Sequence, residues 1–378
     1  MNLHPFRYGT AASAALFIWA TAASAAPDAK AVADSLVAAA TAAGSTASYE
    51  AAAANGDDVV VTNFKTTQRG ATLTVPSLVI AAPVARPEGG FTSPHVTFDN
   101  VTGTKDNAPS MSWQTGVAED AILLTPEEVK ARATVRPFRS VRLTGIKLAS
   151  SEGAAPVTID EVVSDFGDVK PGEPRGFAMR AGPIKATIDV LADTPNYRHV
   201  LELLGYSDLT VNVASEGGYD DKTDTLFLRS FSIDTANVGK LTVSGKFSGM
   251  SLGRIAVKDD SVGTTAQAKL DNLQVHFANS GIVERVIDMQ ANATGSTRDE
   301  VIEQATAVAT VTFMLAGNIA FSEKIATAVG TFLADPKTLT FTATPATPVT
   351  IGKIFAAAIG AQETLPDLLG VDVKANEP

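Results

Sequence analysis

Leu226-Phe227-Leu228-Arg229-Ser230-Phe231-Ser232-Ile233 decides the fold. Leu226 and Leu228 are spaced as on one face of a strand, and so are Phe231 and Ile233, but two residues separate the pairs. A strict strand returns to one face at every second residue, so this doubled spacer would turn the second pair outward. Two escapes exist. A bulge absorbs the extra residue and bends the strand, or the strand bends from one packed layer into another. The pattern recurs at Leu73, Val75, Leu78, Ile80; at Val141, Leu143, Ile146, Leu148; and at Ala268, Leu270, Leu273, Val275. Shorter copies stand at Val59, Val61, Phe64 and at Val96, Phe98, Val101. Their uneven spacing excludes a propeller or solenoid of fixed period. Curved strands in one long sheet are expected, because bulges re-aim strands to curl a sheet.

Around this strand region the texture is helical. Residues 28–43 place Val32, Leu36 and Val37 on one stripe before Gly44, predicting a short amphipathic helix. Two helices interrupt the strands, at 197–206 after Pro195 and at 281–291. Ser296 or Thr297 caps a further helix with Asp299 and Glu300 in its first turn, where negative charge is favourable. Another helix is expected from Ser322 to Leu333, a strand over 337–343, a helix over 350–361 and a last strand over 370–373. No charge falls between Glu303 and Glu323, while Val308, Val311, Phe313, Leu315, Ile319 and Phe321 are apolar, which predicts a buried helix pair capping the sheet.

The first residues read as an export leader. Arg7 precedes an apolar run from Ala11 to Ala22 that ends in Ala23-Ser24-Ala25, a signal-peptidase pattern, with cleavage after Ala25. The run is shorter than the ~20 residues of a membrane span. The alanine-rich leader points to a bacterial periplasm, where the sequons at Asn100 and Asn292 stay unglycosylated.

The 378 residues, 45% hydrophobic and 19% charged, have an ordinary globular composition. A net charge of −11 argues against a nucleic-acid partner, which needs a basic face. The absence of cysteine excludes disulfides, thiolate catalysis and a lipoprotein anchor.

Chemistry-bearing motifs are few. Gly249-Met250-Ser251-Leu252-Gly253 fits a nucleophile elbow, but no helical stripe follows over 254–262, and the elbow needs one. Its histidine would be His276, which alternation sends to the polar side with Asn272 and Gln274, and its acid would be Asp259, Asp260 or Asp271. His95, His199 and His276 are mutually distant, so no zinc spacing arises. Asp220-Asp221-Lys222-Thr223-Asp224 lacks the spacing of a calcium loop and reads as a solvated hairpin turn. No phosphate-binding or dinucleotide fingerprint is present, and a single tryptophan, Trp113, follows the leader, which disfavours a sugar platform. No enzyme activity and no cofactor are expected.

The run Leu204-Gly205-Tyr206-Ser207-Asp208-Leu209-Thr210-Val211, then Gly218-Tyr219-Asp220, Thr225-Leu226-Phe227-Leu228, Phe231-Ser232-Ile233-Asp234 and Gly239-Lys240-Leu241-Thr242-Val243-Ser244-Gly245, resembles uncharacterised exported proteins of alphaproteobacteria. More distantly, residues 55–280 are similar to the AsmA-like and YdgA-like envelope proteins. That resemblance implies a long curled sheet and transfers no catalytic residue. Those proteins are membrane-anchored and longer, whereas the leader here carries a cleavage site.

The expected fold is mainly β (α+β): a long curled antiparallel sheet with bulged strands and packing helices at the termini. Residues 1–25 form the signal peptide, 26–295 the sheet with its inserted helices, and 296–378 a helix-and-strand cap of the same domain. A concave apolar sheet face suits an acyl chain. Its expected lining is Leu73, Val75, Val141, Leu143, Leu226, Leu228, Leu241 and Val243. The expected function is therefore a soluble periplasmic protein that binds or shuttles phospholipid or another hydrophobic ligand, touching the membrane transiently. The alternative is a non-catalytic structural or protein-interaction module of the envelope, its core filled by its own helices. The uncharged 305–321 stretch separates the two: lying along the concave face it fills the groove, and lying at the sheet's end it leaves the groove open.

Overall fold

The structure is a computed structural model that describes residues 28–106, 108–130, 137–149, 155–167, 175–191, 195–250, 266–315 and 318–377. The leader and Ser251, Asp259 and Asp260 lie outside the described residues. Among the described residues 49% are strand and 30% helix, so the fold is mainly β, and the strands build one antiparallel sheet.

Strands β1 (Thr46–Ser48) and β2 (Ala51–Asn55) form one edge on β3 (Asp58–Gln68), which pairs with β4 (Ala71–Ile80). A two-residue β5 (Val84–Ala85) turns into β6 (Phe91–Asp99). β6 and β7 (Val101–Lys105) are the halves of one long strand beside β4, and β8 (Ala108–Trp113) and β9 (Thr115–Leu123) are the halves of the next. There follow β10 (Ser140–Leu148), β11 (Val157–Asp165), β12 (Arg175–Thr187), β13 (Asp208–Asp220), β14 (Thr225–Thr235), β15 (Gly239–Ser248) and β16 (Lys269–Asn279), each antiparallel to the last. β17 (Thr338–Ala343) and β18 (Val349–Thr350) pair with β16, and β19 (Val371–Ala375) closes the series on β17. Long strands thus lie beside their sequence neighbours, so the sheet is an up-and-down meander that residues beyond 295 complete.

Among the described residues the α-helices are α1 (Ala29–Ala42), α2 (Pro126–Lys130), α3 (Ile188–Leu191), α4 (Pro195–Leu203), α5 (Ile282–Thr294), α6 (Arg298–Leu315), α7 (Ile319–Ala334), α8 (Ile351–Gly360) and α9 (Leu365–Leu369). Asp28 caps α1 by accepting the Ala31 N–H at 3.0 Å. Of the two expected caps for α6, Thr297 is used: its hydroxyl accepts from Glu300 N–H while the Glu300 carboxylate accepts from Thr297 N–H.

The doubled spacers bend the strands in two ways. In β14, Glu216 pairs with Ser230 but Gly217 with Leu228, leaving Arg229 as the extra residue of a bulge. In β16 the extra residue is Asp271, between the partners of Lys246 and Phe247. From β3 to β12, by contrast, the irregular residues of neighbouring strands align. Asn63 (φ +48°) falls opposite Pro76, Pro76 opposite Asn100 (φ +52°), Asn100 opposite Gln114, and Gln114 opposite Gly145 (φ +63°). The line continues through Asp160 to Pro183, where β12 shifts register against β13. It is a crease across the sheet. Proline can sit mid-sheet at this row because a left-handed neighbour interrupts the ladder there. Asparagine and glycine are the residues that reach such φ values most cheaply.

On both sides of the crease the apolar side chains face the same way. Val59, Val61, Val75, Leu78, Ile80, Val101, Trp113 and Ile146 are buried in one cluster with Val32 and Ala33 of α1. The opposite face is charged, with Arg142 and Arg180 both on Glu161, Lys185 on Asp160 and Arg229 on Glu216.

The expected buried pair over 305–321 is corrected. Val308, Val311 and Ile319 are 60%, 56% and 63% exposed. α7 packs on β17 and β19, and α6 packs on α7 and α5, outside the sheet, which leaves the Val308 and Val311 side of α6 exposed. The side chains of Phe313 and Leu315 are outside the described residues. α7 also begins earlier than Ser322, because Asn318 caps it by accepting the Phe321 N–H at 3.0 Å. The 281–291 helix runs on to Thr294, where Gly295 ends it at φ +68°. The 197–206 helix is shifted to Pro195–Leu203, with proline in its first turn, where no N–H is needed.

α2 carries the best-defined ion pair. The Arg86 guanidinium, 9% exposed, holds Glu128 at 3.0 and 2.7 Å, and Glu128 also accepts the Thr125 N–H. Arg86 and the Thr125 N–H lower the Glu128 pKa to about 2. A carboxyl depressed in the folded state contributes stability above its unfolded pKa of ~4.3 and loses that contribution as the pH falls toward 2. Glu128→Gln is therefore expected to flatten the loss of thermal stability between pH 5 and pH 2. An acid limb unchanged by the substitution would rule this pair out as a contributor.

Candidate functional site

One row of side chains can be followed from strand to strand across the sheet: Val59, Ile80, Val96, Ala118, Val141, Ser164, Met179, Ser215, Phe231, Val243, Val275, Phe341 and Val373. The next row passes through Leu143, Val162, Ala181, Val213, Ile233, Leu241, Phe277 and Leu339. A third joins Phe177, Gly217, Leu228, Gly245 and Leu273. Gly217 is required by its neighbours, since a Cβ there would stand 2.5 Å from the Phe177 ring and 2.4 Å from the Phe227 carbonyl. No titratable side chain interrupts these rows.

Helices cover the two ends of this apolar face. α1 lies over β1–β3 and reaches β9, while α7 lies over β17 and β19 and stacks Phe332 edge-on against Phe277 at 6.2 Å. Between them, β12–β15 contribute no residue to either of the clusters beneath these helices. Phe231, Ile233, Leu241 and Val243 are half-buried, and Met179 is 43% exposed. Among the described residues, then, the middle of the face is an apolar strip bordered by two helix-covered ends. From β12 to β15 it spans about 14 Å at ~4.8 Å per strand.

The eight expected lining residues all lie on this face but not in one environment. Leu73, Val75 and Leu143 pack in the closed cluster with α1. Leu226, Leu228, Leu241 and Val243 lie in the open strip, and Val141 stands at the boundary, in the same row as Val243. Met179, Val213 and Phe231 belong to the strip as well. Met179 carries no doubled-spacer signal, because its strand bends at Gly182-Pro183 instead.

The other face holds a polar cleft of ≈560 Å³ lined by Thr242, Gln274, His276, Thr340, Thr342, Lys374 and Glu377, the last two ion-paired at 2.9 Å. His276 Nδ1 lies 2.8 Å from the Thr340 hydroxyl, a threonine and not a carboxylate. Asp271 is 4.0 Å from Lys246. The Asp220–Asp224 segment is a turn: Asp220 accepts from the Lys222 N–H and the Thr223 hydroxyl, and Asp224 from the Tyr219 hydroxyl. Among the described residues, no three histidine or carboxylate side chains converge as metal ligands would. Nor is any described helix long and apolar enough to cross a membrane.

No curated protein matches the chain. A family model described as an uncharacterized protein matches residues 232–376, from β14 through the last helices and strands.

Proposed function

We propose that the protein is an exported, non-catalytic carrier of a lipid or similar hydrophobic ligand, held on the apolar strip of β12–β15 and adjoining strands. The carrying observation is that rows of mainly apolar side chains, interrupted only by Ser164, Ser215 and two glycines, remain half-buried where neither end helix covers them. Lipid sites are concave and mostly apolar, and three adjacent rows without a titratable side chain suit acyl chains better than a polar head. The placement of α6 outside α7, away from the sheet's middle, supports an open strip over a self-filled one. Export and a periplasmic location rest on the leader motif. Transient membrane contact has a candidate surface in α8, whose Phe355 and Ile359 are 64% and 85% exposed one turn apart.

Native mass spectrometry of protein purified from its host is expected to show a phospholipid-sized adduct. Met179→Asp, at an exposed point of the strip, is expected to remove most of it without changing the melting temperature. A bare mass for the parent protein would instead favour the structural or interaction module.

A further inference from the structure

Away from the sheet's apolar strip, a cleft of ≈320 Å³ opens between α5, α6 and α7. Its walls are aliphatic except for Gln290. Ile287 and Val301, 5% and 7% exposed, are the buried residues of its floor, while Val286 is 42% exposed and Ala305 is exposed. The core joining α5 to α6 is small: Ile287, Ala291 and Val301 are its only buried members among the described residues. The lining continues outward along α6, since Val301, Ala305 and Val308 follow i, i+4, i+7 spacing and Val308 is 60% exposed.

We infer that this cleft is a second ligand site, taking one unbranched aliphatic chain end-on with its polar head outside. Its volume and composition are those of small-molecule pockets, which measure ~300–1,000 Å³ and are mostly apolar. An aliphatic cavity offers water no partners and admits apolar ligands instead. The volume is about ten times the ~30 Å³ share of one water, which is close to the size of a methylene, so about ten carbons fill it. No charged group lines the cleft, so a head group would find partners only at the rim or in solvent. The site lies within residues 232–376 and does not depend on the strip of β12–β15.

Decanoate, titrated calorimetrically into the full-length protein at two temperatures, is expected to bind one-to-one with a negative heat-capacity change. Ala305→Trp should fill the cleft and Val286→Asp should place a like charge at its rim, each weakening binding at least tenfold. Both positions are exposed, and an unchanged melting curve verifies folding. Met179→Asp, on the sheet, should bind decanoate as the parent does. Absence of binding by the parent overturns the inference. So does parent-like binding by both cleft variants, and so does loss through Met179→Asp alone, which would assign decanoate to the strip. Self-association abolished by the cleft variants, without decanoate binding, would show a second copy in the cleft and also overturn it.

Discussion

Ile80→Ala is expected to destabilise the protein by ~2–5 kcal/mol, the range for emptying a well-packed aliphatic site. Ile80 has no exposed surface and sits between Val59 and Val96 in the row that α1 covers. The helix and the strands would have to collapse together to close the void, and the crease holds those strands at a set angle. Urea unfolding should show a lower midpoint with an unchanged slope. Phe355→Ala serves as the comparison. It removes a larger side chain, but one that is 64% exposed, and should shift stability by no more than ~0.5 kcal/mol. Equal effects from the two substitutions would refute the assignment of the core to the α1-covered half.

Gly145→Val is the second large effect expected, at ~1–3 kcal/mol for a strained backbone residue. Gly145 holds φ +63° where β10 crosses the crease, a conformation that β-branched residues resist most. A Cβ there would also stand 2.7 Å from the Gln114 side chain. The two contributions separate experimentally. Gln114→Ala in the valine background should recover the steric part only, whereas Gly145→Asn should be milder than valine because asparagine tolerates the left-handed region. Asparagine as damaging as valine would mean that the backbone angle is not the source of the cost.

The crease shows how far a periodic reading reaches. The same doubled spacer occurs at 73–80, 141–148, 226–233 and 268–275, and each marks a place where the strand bends. Only the last two are bulges, at Arg229 and Asp271. At Pro76 and Gly145 the neighbouring strands are irregular at the same row, so register is kept and a crease forms. A spacing within one strand records an extra residue; whether the partner strand carries a matching one depends on which residues the pairing brings opposite.

The candidate lining divides for a similar reason. Leu73 and Leu241 carry the same local signature, yet one is packed in the cluster with α1 and the other lies in the open strip. The stripe of Val32 and Leu36 announces that α1 must bury a face, but nothing in those residues names the strands it lands on. The uncharged run on α6 was equally silent: lack of charge did not place Val308 inside, because α6 found α7 and not the sheet.

The bends, the apolar face and most of the helices were written in local patterns, since each depends on residues within one or two turns of each other. Which part of the apolar face the described helices cover was settled by long-range packing, in which helices dozens of residues away compete for a surface that looks alike along its whole length.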